Sequence, residues 1–218
     1  MKPEAIHKKK TKKVAVIVAH PDDEVLWAGG TLLAHQEWQC FIACLCRKSD
    51  PDRAPKFHKA LTVFDSKGAM GDLDDGPRQI PQDKQEITRV LFELLPNINY
   101  DLIITHNPTG EYTRHLRHEE IGTTVLSLWY EGKLSSKEIW VFAYEDGNRM
   151  YFPRALKTTG LYFDLPNYLW NLKYELVTNV YGFEQDSWEA QSTPKAEAFW
   201  KLSHKEDALK WLERGQTS

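Results

Sequence analysis

Val14-Ala15-Val16-Ile17-Val18-Ala19-His20-Pro21-Asp22-Asp23-Glu24 sets the frame for the rest of the chain. Its apolar, β-branched first half lies between lysines and a proline, which predicts a strand buried on both faces of a parallel sheet. Pro21 keeps His20 out of the helical region, and Asp22 or Asp23 can cap the apolar, helix-period segment 25–36. The turn between strand and helix thus carries one imidazole and three carboxylates. A dinucleotide-binding domain would place its glycine run there, so that the backbone could approach a pyrophosphate. Here Gly29 and Gly30 come later, inside the helix, and the carboxylates would repel a phosphate. The turn is built either to hold a cation or simply to cap a helix whose dipole favours acidic residues in its first turn.

Further along, strand-like and helix-like segments alternate. Strands are expected at 39–46, 69–73, 101–105 and 138–144, with helices at 55–67 and 82–95 and another opening at 115–120 that ends near Gly132. That alternation predicts an α/β, Rossmann-like three-layer domain, its sheet mostly parallel and its helices on both faces. With strand order 3-2-1-4-5, the turns after residues 19 and 105 share one rim at the point where the winding reverses. Beyond 144 the pattern loosens into an aromatic-rich stretch to Phe163, a helix over 166–179, a polar link and two short helical segments. Residues 1–13, with Lys8, Lys9, Lys10, Lys12 and Lys13, read as a basic flexible arm, and 14–218 as a single domain.

At 218 residues with 41% apolar content, one good core can be buried. A net charge of -3 argues against a nucleic-acid partner. No apolar run reaches the roughly 20 residues that span a bilayer, and no signal segment follows Met1, so the expectation is a cytoplasmic protein, free to form a homo-oligomer. Cys40, Cys44 and Cys46 lack the further soft ligands of a structural zinc site and read as buried, reduced thiols. The eight tryptophans invite stacking on a sugar, but the sequence does not single one out.

His115 and His118, three apart at a helix start, face one side. His20, Asp23 and one of this pair would make a three-ligand site with an open position, the arrangement of a catalytic zinc. Ala19-His20-Pro21-Asp22-Asp23-Glu24, together with Thr105-His106-Asn107-Pro108 and His115-Leu116-Arg117-His118, resembles the LmbE-like or PIG-L family of zinc-dependent de-N-acetylases, which act on N-acetylglucosamine-containing conjugates.

The resemblance implies that His20, Asp23 and His118 hold Zn2+, with Asp22 as general base. It gives His115 to the oxyanion or to protonation of the leaving amine. Zinc chemistry agrees, since a coordinated water has its pKa lowered to about 7 and a cationic imidazole would steady the developing charge. Two departures stand out: Leu116-Arg117 replaces the Pro-Asp that many members carry between the histidines, and Tyr112 sits one residue further from His115 than an assisting tyrosine in some relatives. Arg53 resembles an arginine that faces the substrate, and Arg114 and Arg117 are expected near the same mouth, which suits an amino-sugar bearing hydroxyl or anionic groups. The competing expectation is a metal-containing carbohydrate-binding or regulatory protein without turnover.

Overall fold

Every residue from Val14 to Val18 is fully buried. Their strand, β1 (Lys13–Val18), has parallel partners on both sides and helices over both faces. The computed structural model describes residues 11–112 and 115–215. In it, β2 (Gln39–Cys44), β3 (Lys67–Met70), β4 (Leu102–Thr105) and β5 (Ile139–Phe142) join β1 in parallel, while β9 (Ala196–Leu202) runs antiparallel beside β5 and β8 (Leu161–Asp164) runs antiparallel to β9. The sheet order is β3-β2-β1-β4-β5-β9-β8, and β6 (Tyr144–Glu145) pairs with β7 (Arg154–Ala155) as a separate ribbon.

Alternation along β1 divides the core. Val14, Val16 and Val18 pack with Trp27, Phe57 and Leu169, from α1 (Asp23–Ala34), α2 (Arg53–Val63) and α5 (Asn167–Glu175). Ala15 and Ile17 pack on the other face with Leu91, Val125 and Ala208, from α3 (Lys84–Leu94), α4 (Leu116–Tyr130) and α7 (Lys205–Gly215). The three-layer expectation and the order of the first five strands therefore hold. A single π-helical turn, Leu176–Val180, follows α5, and the short α6 (Trp188–Ser192) comes after it.

The last third differs from expectation. Residues 161–164 and 196–202 extend the sheet by two strands, where only an aromatic-rich stretch and helical segments were anticipated. Ala196, Glu197, Ala198 and Lys201 are good helix formers, so local propensity points away from the strand that tertiary packing imposes. Glu197 shows why. Its fully buried carboxylate accepts the N–H groups of Gly30 and Thr31 at 2.7 Å and the Thr31 hydroxyl at 2.6 Å, and pairs with Lys173 Nζ at 2.8 Å. The Tyr144 hydroxyl donates to the Trp27 carbonyl on the same helix, so α1 is tied to the sheet through polar groups as well as through its apolar side.

Two residues expected in the basic arm, Lys12 and Lys13, belong to the folded domain. Lys13 opens β1, and Lys12 pairs with Glu138 at 3.0 Å beneath Trp38 and Trp140. The rest of that expectation, residues 1–10, lies outside the described residues. Near the site one glycine is required by a close approach: a Cβ on Gly122 of α4 would stand 2.5 Å from the His106 carbonyl oxygen, so only glycine lets α4 press against the turn that follows β4.

Candidate metal centre and active site

The turns after β1 and β4 meet where β2 and β4 depart on opposite sides of β1, the usual crevice of an open α/β sheet. Three donor atoms converge there. His20 Nδ1 lies 3.1 Å from His118 Nε2, and Asp23 Oδ2 lies 3.3 Å from each. Ligand atoms about 2.0–2.1 Å from a tetrahedral zinc would be about 3.3 Å apart, so the triangle has the size that ion needs.

The surroundings of each ring decide which nitrogen turns towards the site. His118 Nδ1 faces Glu111 Oε2 at 2.7 Å, so that nitrogen carries the proton and Nε2 presents a lone pair. His20 Nε2 lies 3.1 Å from Asp75 Oδ1 outside hydrogen-bond geometry, and Nδ1 is the nitrogen turned towards Asp23 and His118. The Asp23 carboxylate is pinned by the His20 N–H at 2.8 Å and the Trp27 indole N–H at 3.1 Å. Burial works against its ionised form, but the surrounding imidazoles, His118 first, outweigh it and hold the carboxyl well below its ordinary range. Three such donor atoms at this spacing need a shared proton or a cation between them. The donor set fits a divalent, nitrogen-tolerant metal such as zinc.

Ligand atoms also cluster in two overlapping groupings, His20 with His115 and His118, and Asp23 with His106 and His118. His106 is not free to ligate. Its Nε2 accepts the Ala19 N–H at 2.9 Å while its Nδ1 faces Glu111 Oε1 at 3.2 Å. It stacks on His118 with ring centroids 3.9 Å apart and acts as a backing plate for that ring.

Asp22 is held differently from Asp23. At φ +120° and ψ −27° it occupies backbone that only glycine adopts without strain, a cost concentrated at functional positions. Its N–H donates to Glu24 Oε2 at 3.1 Å, and its carbonyl accepts from Val25 and Leu26. Burial, with the Asp23 charge beside it, pushes the Asp22 carboxyl up to about 7, against the opposing pull of Arg53. Arg53 Nη1 reaches Asp22 Oδ2 at 2.9 Å, and its guanidinium lies over Phe183 at 4.5 Å. Burial likewise raises Glu24 to about 8, and Tyr181 bonds its Oε1 at 2.5 Å.

His115 lines the same cavity, of about 330 Å³, together with Asp22, Arg53 and Tyr112. Its buried Nδ1 has no hydrogen-bond partner among the described residues. Burial, reinforced by the His118 and His20 rings, lowers it to about 3. That shift favours the neutral ring over the cationic imidazole expected from sequence. Tyr112 packs between Trp27 and Trp188 near His115, and burial raises its hydroxyl pKa. Arg117 is not at the mouth: it is fully buried, bonded to Glu120 and to the Ile80 carbonyl at 3.1 Å. Arg114 lies outside the described residues.

Sequence reasoning assigned no role to Glu111, Asp75 or His106, although all three touch the proposed ligands. A lone carboxylate between His106 and the His115–His118 pair was the available signal for Glu111. Asp75 sits in an Asp-Asp-Gly-Pro turn after β3 whose composition says only that the chain reverses.

Residues 15–129 match the family model described as PIG-L: GlcNAc-PI de-N-acetylase. The uncharacterized protein L374 of Acanthamoeba polyphaga mimivirus is 23% identical over 146 residues, covering 60% of this chain and 61% of that protein. Among solved structures, N,N'-diacetylchitobiose deacetylase from Pyrococcus horikoshii, complexed with its inhibitor MPG, superposes with a TM-score of 0.65 at 16% identity over 89% of this chain and 85% of its own. GalB, the 4-carboxy-2-hydroxymuconate hydratase of Pseudomonas putida KT2440, gives 0.57 at 15% identity, over 84% and 83%. At such identities these likenesses speak for the fold alone.

Proposed function

Since the chain belongs to the PIG-L family, we propose that it is a metal-dependent hydrolase that removes the N-acetyl group from an N-acetylglucosamine-type sugar or conjugate. The observation that carries this reading is the convergence of three donor atoms, from His20, Asp23 and His118, beside an uncoordinated and strained Asp22 in one cavity. Those three residues would hold the ion. Bound zinc would supply Lewis acidity for both the water and the amide carbonyl.

The remaining steps belong to the protein's own groups. Asp22 takes a proton from the attacking water, its carboxyl being tuned near neutrality where a general base works best. Arg53 keeps that carboxylate turned into the cavity. A neutral His115 suits the hydrogen-bond donor half of its two expected roles, steadying the carbonyl oxygen as it gains charge. As the C–N bond breaks, Asp22 returns its proton to the departing amine, and acetate and free amino-sugar result.

Metal analysis of protein purified without chelator, with acetate release from N-acetylglucosamine derivatives, tests the reading. Zinc near one equivalent is expected, with turnover lost on chelation and restored by the metal. Absence of any bound transition metal and of metal-restored turnover overturns it. Asp22→Asn separates an enzyme from a binding protein: rate should fall by about a hundredfold or more with metal retained. Among the described residues no helix is long and apolar enough to cross a membrane. The free thiols of Cys40, Cys44 and Cys46 support a reducing, cytoplasmic setting.

A further inference from the structure

The α6 segment folds back from beyond the family match to form the outer wall of the catalytic cavity. Trp188, at its first position, is 39% exposed, unusual for so large an apolar ring. Its ring lies 5.1 Å from that of Tyr112, which in turn stands 5.7 Å from the buried Trp27, so an aromatic series runs from the cavity floor to its mouth. Beside it, the half-buried Glu189 lines the cavity and makes no side-chain hydrogen bond or ion pair among the described residues.

The cations of the cavity are already engaged. Arg53 is bound to Asp22, and Arg47 holds Asp75 through two nitrogens at 3.0 and 2.7 Å. Each of those carboxylates offsets the charge of its arginine, and an incoming anion would meet the charge of Glu189 at the mouth. An uncharged polyol meets no such penalty, because its hydroxyls are the donors that an unpaired carboxylate lacks.

We propose that Trp188 and Glu189 form an outer subsite for a second, uncharged sugar ring attached to the acylated one, Trp188 stacking on its apolar face and Glu189 accepting from its hydroxyls. The inference rests on the deacetylase reading and deepens it: the substrate is a neutral amino-sugar oligosaccharide or glycoside, and a phosphorylated sugar is disfavoured. Stacking of this kind acts on binding and leaves the reacting amide untouched.

The test compares N,N'-diacetylchitobiose, N-acetylglucosamine and N-acetylglucosamine 6-phosphate on the zinc-loaded protein, by acetate release and by titration calorimetry. Trp188→Ala should raise KM and Kd for the disaccharide about tenfold while kcat stays within about twofold and the monosaccharide is unaffected. Trp188→Phe should restore most of that loss, and Glu189→Gln should weaken only the disaccharide. Wild-type protein should favour the disaccharide over the phosphorylated sugar, and Glu189→Lys should narrow the gap. Unchanged disaccharide affinity in Trp188→Ala, or preference for the phosphorylated sugar, overturns the subsite. If no acetate is released from any of the three, the deacetylase reading falls, and calorimetry still decides the subsite: equal affinity in wild type and Trp188→Ala, or no disaccharide binding, removes it.

Discussion

Glu111 Oε2 stands 2.7 Å from His118 Nδ1, and both side chains are shut off from solvent. The other oxygen of the same carboxylate accepts the Asn107 N–H at 2.8 Å and faces His106 Nδ1 at 3.2 Å. One buried anion therefore fixes the tautomer of a proposed ligand, while the ring stacked behind it is fixed by the Ala19 N–H donated to His106 Nε2. Carboxylates placed behind a ligating histidine sharpen its orientation and its basicity. Glu111→Gln keeps the shape but removes the charge, and zinc affinity should fall about 10- to 100-fold. Competition with a chromophoric chelator reads this directly, and an unchanged affinity would show that Glu111 serves only to fold its loop.

Asp22 yields a prediction in which function and stability part company. Its φ of +120° suits glycine. Asp22→Gly and Asp22→Ala both abolish the general base and the Arg53 contact, so their difference isolates the backbone. The glycine variant should be the more stable by about 1–2 kcal/mol, as the helix N-cap preference acts in the same direction as relief of the positive φ. Urea unfolding of the two metal-free proteins measures it. Equal midpoints would mean that the segment relaxes at no cost.

How much of this could be read from residues alone varies along the chain. The β1 segment and its acidic turn were legible because a buried parallel strand needs an unbroken apolar run and Pro21 marks its end. The pairing of the two histidine-bearing turns followed from strand order. Partners that reach the site from elsewhere were hidden: Asp75 meets His20 only because the turn after β3 arrives at the same rim, and Trp188 only because α6 returns across it. β9 was hidden for the opposite reason. Its alanines, glutamate and lysine carry a local preference that the buried surroundings of Glu197 override.

A pH effect on stability follows from Glu138, well away from the metal centre. Partial burial disfavours its charge, but Lys201 at 2.7 Å and Lys12 at 3.0 Å outweigh that and lower its pKa. A carboxyl whose folded pKa lies below its unfolded value, about 4.3, adds stability above that pH and loses it as the pH falls through the folded pKa. Glu138→Gln should therefore cost roughly 0.5–1 kcal/mol at pH 7, with the difference from wild type shrinking as the pH falls below the unfolded value and through the folded one. Paired urea titrations across that range check the sign. A deficit independent of pH would assign Glu138 to packing.

The buried pair of Lys173 and Glu197 makes the largest expected effect. Both side chains are inaccessible to water, and the carboxylate also ties down Gly30 and Thr31 of α1, the helix whose first turn carries Asp23. Burial alone pulls the Lys173 pKa down, and the Glu197 charge pulls it back. Lys173→Met removes the compensating cation and leaves a buried anion, which should cost about 3–5 kcal/mol. Adding Glu197→Gln removes that anion while an amide oxygen can still accept from the helix, so the double variant should be less destabilised than the sum of the two single ones. Unfolding free energies of the four proteins complete the cycle. Strict additivity would mean that the two groups share a space without acting on each other, and α1 would then owe its position to apolar packing alone.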